Sequence, residues 1–364
     1  MGSGGRSETA TTTVERKRPQ TESDTRIRNS LKPSFYHESS LCEKDASFWT
    51  WDGMMWTVGM MQASCFSMIY FLAPSYMLSA VGLMIFQRGS TASLLYASPM
   101  IVSAILPPIP MPFLFNLLKP MLQYFDSYEQ IIEVTPINTI ENLLTKKCNY
   151  ILACQPHGVL SYNGILSGIT APPEIQGKIP TAVADVVLRT PILKHVMGVF
   201  GLISASKKSL MKTLSRKGVE GTCVLYVGGM AELFLSCEHE ERLYLKNRKG
   251  FIKLSLQTGV DIIPVYLFGN TTVLSILKTG VLATLSRKLG ASLTYVWGKY
   301  GLPIPRNCKL LYVSGQPIGI PHIPNPTQED IDKYHALYCE QAQRLFEKYK
   351  EKVPEYKHKK LHIV

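Results

Sequence analysis

The sequence predicts an α/β domain with a largely parallel sheet, preceded by a hydrophobic hairpin and a polar tail. From about residue 120 onward, short apolar runs alternate with stretches of helical spacing, which is typical of a parallel sheet with flanking helices. Residues 54–118 contain one charged side chain, Arg88, in a chain of which 18% is charged. Residues 1–50 are rich in Ser, Thr, Arg and Glu and show little apolar periodicity.

The N-terminal tail, residues 1–50, is predicted to be mostly disordered because it has too little apolar surface to form a core. The chain starts MGSGGRS and so has Arg6 where N-myristoylation requires Ser or Thr, and lipidation is not predicted. The charged stretch is also far too long for the first region of a signal peptide, so none is expected.

Residues 51–118 are predicted to form a membrane hairpin of two apolar arms. Each arm exceeds the roughly 20 residues that cross a bilayer core as a helix. The turn is expected at residues 87–90, with a bend at residues 73–75 as the alternative. Prolines within residues 107–112 predict that the second arm is broken or ends early. Basic residues flank the hairpin on both sides, so the positive-inside rule places the tail and the following domain in the cytosol.

Residues 119–364 are predicted to form the α/β domain. The expected strands are the apolar runs at 149–154, 181–187, 222–227, 260–268 and 309–314. Helices are expected near 190–200, 206–217 and 247–258, followed by an amphipathic helix that starts at Thr327. Ligands of such sheets bind where the strands end, so the chemistry is expected at the carboxyl edge.

Composition and charge narrow the classes of binding partner that the chain can have. The net charge is +12, and nearly all of it lies after residue 118, which suits nucleic acid, an anionic membrane face or an anionic substrate. Because the sequence has no basic recognition helix and no RNA-binding signature, a nucleic-acid partner is not predicted. The eight cysteines are scattered without a C-x-x-C pair, which predicts free thiols and no zinc or other metal site.

One histidine follows the first predicted strand directly, in the corner Gln155-Pro156-His157-Gly158. Pro156 fixes the backbone φ angle, and Gly158 permits a close approach of backbone or substrate. Imidazole is the usual general base near neutral pH, which makes His157 a candidate. Taken alone, a histidine beside an apolar run is more often structural.

Two further motifs follow in the chain. Gly228 and Gly229 end the third predicted strand and precede Glu232; they suit an oxyanion nest, although a tight turn with a capping glutamate is the slightly favoured alternative. A basic cluster then precedes a predicted helix and suits a phosphate site, with a solvated or membrane-facing charge run as an equal alternative. Its candidate residues are Lys246, Arg248 and Lys249.

In this order the motifs resemble those of the type-2 diacylglycerol acyltransferase family, which includes monoacylglycerol and wax-ester acyltransferases. The matching segments are QPHG (155–158), GGMAE (228–232), RKGFIKLSLQTGVDIIPVYLFG (248–269), WGKYGLPIP (297–305) and residues 315–338. The resemblance covers about residues 50–350 and implies a glycerolipid-acyltransferase-like fold.

Two positions depart from the family pattern. Gln155 stands where the family has a first histidine, and Asn270 stands where it commonly has glutamate. Because a Gln side chain cannot take up a proton at neutral pH, the base is assigned to His157. Asn270 argues against an acidic role at its position.

The resemblance implies transfer of an acyl group from acyl-CoA to the hydroxyl of diacylglycerol, with acyl-CoA as co-substrate and no permanently bound cofactor. His157 would act as base, and Glu232 would orient or stabilise its ring. The oxyanion is assigned to N–H groups of Gly158, Gly228 or Gly229, and the CoA phosphates to Lys246, Arg248 and Lys249. His195, on a predicted helix, is a secondary candidate for which a surface or supporting role is the stronger alternative.

Two alternatives stay open, one for the acceptor substrate and one for the functional class of the protein. The same chemistry on monoacylglycerol or a fatty alcohol is the nearest one, and a non-catalytic lipid-binding or lipid-droplet scaffold protein is the other. The expected location is the endoplasmic reticulum membrane with both termini cytosolic, and lipid droplets are a second site. Homo-oligomer formation is left open by the sequence.

Overall fold

The computed structural model describes residues 50–133, 136–235, 237, 239–278, 284 and 294–364. The predicted disordered tail lies outside the described residues, apart from Thr50 at its end. The helices are α1 Trp51–Phe86, α2 Thr91–Ile105, α3 Phe115–Leu118, α4 Met121–Tyr124, α5 Pro136–Leu144, α6 Tyr162–Thr170, α7 Asp185–Arg189, α8 Leu193–Gly198, α9 Lys207–Leu214, α10 Gly250–Thr258 and α11 Gln328–Tyr349.

The strands are β1 Ser127–Ile132, β2 Tyr150–Gln155, β3 Thr181–Val183, β4 Leu202–Ser204, β5 Cys223–Tyr226, β6 Glu240–Leu243, β7 Asp261–Phe268, β8 Ser275–Ile276, β9 Val296–Trp297, β10 Lys309–Ser314 and β11 Lys360–Ile363. Short 3₁₀ helices lie at Pro112–Leu114, Gly218–Gly221, Gly229–Phe234, Lys350–Lys352 and Pro354–Tyr356. β2, β5, β7 and β10 confirm four of the five predicted strands to within a residue.

The main sheet has seven strands in the order β1-β10-β7-β2-β5-β3-β4. All neighbours are parallel except β10 and β7, which run antiparallel, so the prediction of a largely parallel α/β sheet is confirmed. β2 lies between β7 and β5, and the three therefore end at one carboxyl edge. Two small sheets pair β11 with β6 and β8 with β9.

The remaining predicted strand, residues 181–187, is wrong in its second half. β3 ends at Val183, and α7 begins at Asp185. A carboxylate in the first turn suits the positive end of a helix, and Asp185 also accepts a hydrogen bond of 2.5 Å from the Ser204 hydroxyl on β4. The apolar run therefore divides into a strand and a helix.

α11 covers one face of the sheet, as its amphipathic pattern predicts. Thr327 and Asp330 form a capping box at its start. Its buried face packs against β7, with Tyr338 and Phe346 fully buried. His335 is also buried, and its Nε2 donates to the Leu245 carbonyl at 2.9 Å, so this histidine has a packing role.

The two apolar arms form α1 and α2, with the turn at residues 87–90 as predicted. α1 also bends by 50° between Tyr70 and Leu72. Pro74 explains this bend, because its ring clashes with the carbonyl four residues earlier, that of Tyr70. α2 ends at Ile105, just before the prolines, which confirms that the second arm ends early.

The first half of α1 packs against the α/β domain. The Tyr162 hydroxyl at the start of α6 donates to the Ala63 carbonyl at 2.6 Å and also bonds the Ser67 hydroxyl. Further along, large apolar side chains are exposed and form what we call the apolar face: Leu78, Phe86, Leu95, Ile105, Phe113 and Leu117. Among the described helices none spans a bilayer by itself, while Trp51–Tyr70 and Leu72–Phe86 together have the length and apolar composition of a bent span.

Candidate active site

His157 lies just beyond the carboxyl end of β2, where the sequence predicts it. The preceding Gln155–Pro156 peptide is cis, and Gly158 has a φ of +64°, a left-handed conformation that favours glycine. A Cβ on Gly158 would meet the main-chain oxygen of Asn270 at 2.5 Å. The corner thus packs tightly against the end of β7.

The imidazole of His157 is held in one tautomer. Its Nδ1 lies 2.7 Å from the Gly158 carbonyl oxygen. Because a carbonyl only accepts, Nδ1 of the neutral ring carries the hydrogen, and Nε2 presents a lone pair. Burial lowers the pKa of His157 below its usual 6.5, against the opposing effect of the Gly158 carbonyl. The ring is therefore neutral at pH 7, as a general base must be.

Tyr226, the last residue of β5, packs against this ring. The two ring centroids are 4.8 Å apart in an edge-on arrangement. Tyr226 pairs in register with Cys154 of β2, so their side chains share one face of the sheet. Its own hydroxyl bonds Ser161. The sequence does not predict this contact of Tyr226, since a strand tyrosine gives no signal of it.

Gln155 faces away from the imidazole. Its side chain is fully buried, and Oε1 accepts the Tyr338 hydroxyl of α11 at 3.0 Å. Because side chains alternate along a strand, Gln155 and Cys154 point to opposite faces, and the imidazole of His157 lies with the Cys154 face. The first position of the QPHG motif therefore supports the sheet–helix interface.

Glu232 contacts the main chain of His157 and not its ring. The carboxylate is 3% exposed; Oε2 accepts the His157 N–H at 2.8 Å, and Oε1 accepts the Tyr244 N–H at 3.3 Å. The pKa of Glu232 is raised to about 7, chiefly by burial and also by nearby Glu241, against the opposing effect of both N–H groups and of Arg248. The expected contact of this carboxylate with the ring is thus replaced by a backbone contact.

Gly228 and Gly229 make room for Glu232. A Cβ on Gly228 would overlap the Glu232 carboxyl group, and Gly229 adopts a φ of +60°. The glycine pair lets the 3₁₀ helix fold back toward β2. Gly228 and Gly229 thus form the tight turn before Glu232 that the sequence analysis gave as the alternative to an oxyanion nest. The assignment of oxyanion donors to these glycines stays a prediction.

Asn270 supports the other side of the His157 backbone. Its Nδ2 donates to the His157 carbonyl at 2.8 Å, to the Pro156 carbonyl at 3.0 Å and to Ser161 Oγ at 3.1 Å. Oδ1 accepts the Asn163 N–H at 3.3 Å. The position requires a neutral donor, which a carboxylate is not. In the sequence Asn270 stood out only as a departure from the family pattern.

The three basic candidates differ in availability. Lys246 and Arg248 are exposed, and the Arg248 guanidinium lies 5.1 Å above the Tyr244 ring. It also approaches to 4.0 Å of the Cβ position of Gly229. Lys249 is instead held in an ion pair with Asp332 at 2.7 Å. The Glu232 loop and Arg248 thus lie side by side.

His195 lies at the attachment of α2. Its Nε2 donates to the Ser103 carbonyl at 3.2 Å, and the neighbouring Ile192 N–H donates to Ser103 Oγ at 2.6 Å. The His195 ring therefore contacts α2, whereas the His157 ring contacts Gly158 and Tyr226. Across the described ranges, no group of three or more His, Cys, Asp or Glu side chains is arranged to hold a metal ion.

The comparison with protein families decides what kind of protein carries this site. The family profile named diacylglycerol acyltransferase matches residues 117–364. The chain belongs to the diacylglycerol acyltransferase family. It is therefore an acyltransferase, and His157, Glu232 and Asn270 all lie within the matched residues.

Several similar proteins carry the name diacylglycerol O-acyltransferase. Human diacylglycerol O-acyltransferase 2-like protein 6 is 32% identical over 57% of this chain and 68% of that protein. Human diacylglycerol O-acyltransferase 2 is 32% identical over 60% of this chain and 61% of its own length. Diacylglycerol O-acyltransferase 2 of Dictyostelium discoideum is 33% identical over 59% of this chain and 70% of its own length. The match with the second relative thus spans less than two thirds of that protein.

A solved structure of a 1-acyl-sn-glycerophosphate acyltransferase from Thermotoga maritima is also similar to this family member. The similarity covers 81% of this chain and 97% of that chain, with a TM-score of 0.41 and 11% sequence identity.

Proposed function

We propose that this chain is an acyl-CoA-dependent O-acyltransferase that esterifies diacylglycerol to triacylglycerol, with Nε2 of His157 as the general base. The relatives are named for diacylglycerol as acceptor. The observation that carries the role of His157 is the 2.7 Å bond from Nδ1 to the Gly158 carbonyl, which leaves Nε2 with its lone pair.

The reaction needs one base and one activated acyl donor. Nε2 takes the proton from the acceptor hydroxyl while the hydroxyl oxygen attacks the thioester carbonyl carbon, and the new C–O bond forms. The tetrahedral intermediate collapses, the C–S bond breaks, and the CoA thiolate takes the proton from the imidazolium. A thioester is already activated, so this scheme requires no metal ion and no permanently bound cofactor.

Two side chains position the base from its backbone. Glu232 holds the N–H of His157 and Asn270 holds its carbonyl, so the corner cannot rotate freely. Oriented main-chain N–H groups stabilise an oxyanion well because they need no reorganisation during the reaction. We assign this role to N–H groups of Gly158 or of the Gly228–Gly229 pair.

The CoA phosphates are assigned to the basic residues after β6. Arg248 and Lys246 are exposed and free of the ion pair that holds Lys249. An Arg guanidinium matches phosphate oxygens with two parallel hydrogen bonds. Since Arg248 also lies beside Gly229, phosphate bound there would place the rest of acyl-CoA next to the Glu232 loop.

Membrane attachment follows from the apolar face. Each of its side chains is at least 65% exposed, and large apolar side chains exposed in such number favour contact with a membrane or a partner. The first half of α1 is bonded to Tyr162, five residues after His157, which attaches the helix to the domain that carries His157. We propose that α1 and α2 form the membrane hairpin of an endoplasmic reticulum protein with cytosolic termini, which also reaches lipid droplets.

An acceptor assay tests this function. The full chain is expressed in membranes that lack such activity, and labelled acyl-CoA is supplied with diacylglycerol, monoacylglycerol or a fatty alcohol. Labelled triacylglycerol, formed faster than the other esters, is the expected result. Faster esterification of monoacylglycerol or the alcohol contradicts the acceptor, and absence of any ester contradicts catalysis and favours the lipid-binding scaffold.

A further inference from the structure

The imidazole of His157 has a hydrogen bond and a ring contact, and the two constrain it differently. The bond from Nδ1 to the Gly158 carbonyl, 2.7 Å long, fixes the tautomer. A hydrogen bond to a carbonyl tolerates a broad range of angles, and the ring torsion of histidine has no sharply preferred value. The bond alone therefore leaves the ring free to tilt, and the direction of the Nε2 lone pair depends on what packs against the ring.

Tyr226 supplies the ring contact. Its ring centroid lies 4.8 Å from that of the imidazole, with an angle of 62° between the two planes. Edge-on packing of this kind is favoured between aromatic rings. Because Tyr226 belongs to β5 and pairs in register with Cys154 of β2, the sheet sets the position of its backbone relative to His157.

The far end of the Tyr226 side chain is held by Ser161, the N-cap residue of α6. Ser161 Oγ accepts the Gly164 N–H at 3.2 Å and Nδ2 of Asn270 at 3.1 Å. A hydroxyl group accepts two hydrogen bonds and donates one, so the hydrogen of Ser161 is left for the Tyr226 hydroxyl, which it bonds. The tyrosine is therefore held by β5 at its backbone and by α6 at its hydroxyl.

Ser161 also connects the support of the His157 ring with the support of its backbone. The Asn270 amide that donates to Ser161 Oγ donates to the His157 carbonyl at 2.8 Å as well. Through Ser161, the amide that holds the main chain of His157 is joined to the tyrosine that contacts its ring. The backbone and the ring are thus held by one hydrogen-bonded group.

A glycine in α6 gives the Tyr226 hydroxyl its space. A Cβ on Gly164 would lie 2.1 Å from that hydroxyl oxygen, whereas the ring carbon that carries the oxygen would be 3.5 Å away, an ordinary contact. Gly164 lies within α6, and alanine stabilises a helix better than glycine does. The helix thus lacks a stabilising methyl group at a point where that group would displace the hydroxyl of Tyr226.

We propose that Tyr226 is a positioning residue for the acyl transfer: its ring, held by Ser161, keeps the imidazole of His157 in the orientation from which Nε2 takes the proton of the acceptor hydroxyl. This inference rests on the proposed function, since it requires His157 to be the base. It also assigns a role to Gly164, which leaves room for the hydroxyl. Both Tyr226 and Gly164 lie outside the QPHG and GGMAE motifs.

The test is the steady-state kinetics of the full chain in membranes, with labelled acyl-CoA and diacylglycerol. Tyr226→Leu keeps an apolar side chain on the sheet but removes the ring. Its kcat is expected to fall by about tenfold or more, because misplacing a reacting group by about 1 Å can cost on the order of 100-fold. KM for both substrates should stay within about twofold, since a change in kcat alone is the mark of a group that acts in the transition state. Tyr226→Phe keeps the ring and should retain kcat to within about fivefold, since it loses only one neutral hydrogen bond.

Gly164→Ala tests the same contact from the side of α6. The added methyl group displaces the Tyr226 hydroxyl, and kcat is expected to fall by about tenfold for the same reason as in Tyr226→Leu. Combining Gly164→Ala with Tyr226→Phe removes the oxygen that the methyl group meets, so the double variant should recover most of the rate. Such a recovery is expected where two side chains touch and not where they act independently. This pair of variants also serves if Tyr226→Leu folds poorly.

Tyr150→Leu is the matched control for the loss of packing. Tyr150 packs in the same partly buried cluster as Tyr226, but it lies at the start of β2, at the opposite end of that strand from His157. Its replacement should lower the melting temperature as Tyr226→Leu does and leave kcat unchanged.

The outcomes separate this proposal from the function on which it rests. Equal losses of kcat in folded Tyr226→Leu and Tyr150→Leu variants overturn the proposal, and so does a raised KM with unchanged kcat in Tyr226→Leu. A double variant that stays as impaired as Gly164→Ala overturns it as well. If His157→Ala keeps full activity, the role of His157 fails instead, whatever the Tyr226 variants show.

Discussion

The main-chain N–H of His157 donates to Glu232 Oε2 at 2.8 Å, so the buried carboxylate holds the backbone of His157 and not its ring. In a Ser-His-Asp triad the acid bonds the ring nitrogen and fixes the tautomer. Here the Gly158 carbonyl bonds Nδ1 at 2.7 Å and fixes the tautomer instead. The carboxylate is left with the task of placing the corner.

Replacing Glu232 tests this division of tasks. Glu232→Gln keeps one acceptor but turns an NH₂ group toward an N–H donor, so one of two hydrogen bonds is lost. A hydrogen bond to a charged group is worth about 1.5–3 kcal/mol, and kcat is expected to fall about tenfold or more. Steady-state kinetics with saturating acyl-CoA measure it; an unchanged kcat in the folded variant would show that the backbone contact is dispensable.

The same variant carries a pH signature in stability. Because the pKa of Glu232 is raised to about 7 in the folded chain, the folded state binds the extra proton between the ordinary pKa and 7. The contribution of Glu232 to stability therefore declines as pH rises through this window, at about 1.4 kcal/mol per pKa unit. Thermal unfolding at pH 5 to 8 should show the unmodified chain losing stability relative to Glu232→Gln.

An acidic side chain at position 270 is expected to impair both stability and activity. Asn270→Asp places carboxylate oxygen against the carbonyls of Pro156 and His157, which removes two donated hydrogen bonds in a fully buried position. Such a buried mismatch costs about 1–3 kcal/mol or more. A lower melting temperature and a strongly reduced kcat are predicted, while Asn325→Asp on an exposed loop serves as control. A stable, active Asn270→Asp chain contradicts the donor role.

The first position of the QPHG motif is expected to accept histidine with little effect on rate. Gln155 bonds Tyr338 on the face of the sheet away from His157, and its Nε2 has no hydrogen-bond partner within the described residues. Gln155→His should therefore change kcat by less than about threefold, since no group is added at the reacting atoms. A large gain in kcat would instead assign a catalytic role to this position.

Arg248 and Lys249 form a matched pair for acyl-CoA binding. Arg248→Ala removes an exposed guanidinium and is expected to raise KM for acyl-CoA by roughly tenfold, the worth of one charged hydrogen bond. Lys249→Ala should raise it by less than about threefold, because that ammonium is already held by Asp332 and surface pairs contribute about 0–1 kcal/mol. Equal effects in the two variants contradict the assignment of the phosphates to Arg248.

The sequence predicted where His157 lies, because a Pro-His-Gly corner directly after a strand places the imidazole at the carboxyl edge of the sheet. It also identified Glu232, but the target of its carboxylate depends on how the Gly228–Gly229 turn folds back, which local pattern does not determine. Asn270 was visible only as a departure from a family pattern. Its amide acts through β7 lying beside β2, and that neighbourhood is a property of the sheet order.

The pairing of β6 with β11 gave no sequence signal, for a physical reason. Each strand has only four residues and neither contains an apolar run, so neither strand is predicted. Their pairing joins segments more than 100 residues apart, and beside it Lys359 and Glu241 form a buried ion pair that composition presents as surface charge. For short polar strands such as these, the local sequence pattern does not determine which distant segment they pair with.

The rate of acyl transfer by His157→Ala is the deciding measurement. The variant and a control, His358→Ala at an exposed position, are expressed in membranes that lack the activity and supplied with labelled acyl-CoA and diacylglycerol. A general base contributes about 10²–10⁴-fold, so triacylglycerol formation by His157→Ala should fall by about that factor while the control keeps its rate. Full activity of His157→Ala would contradict the assignment of His157 as the base.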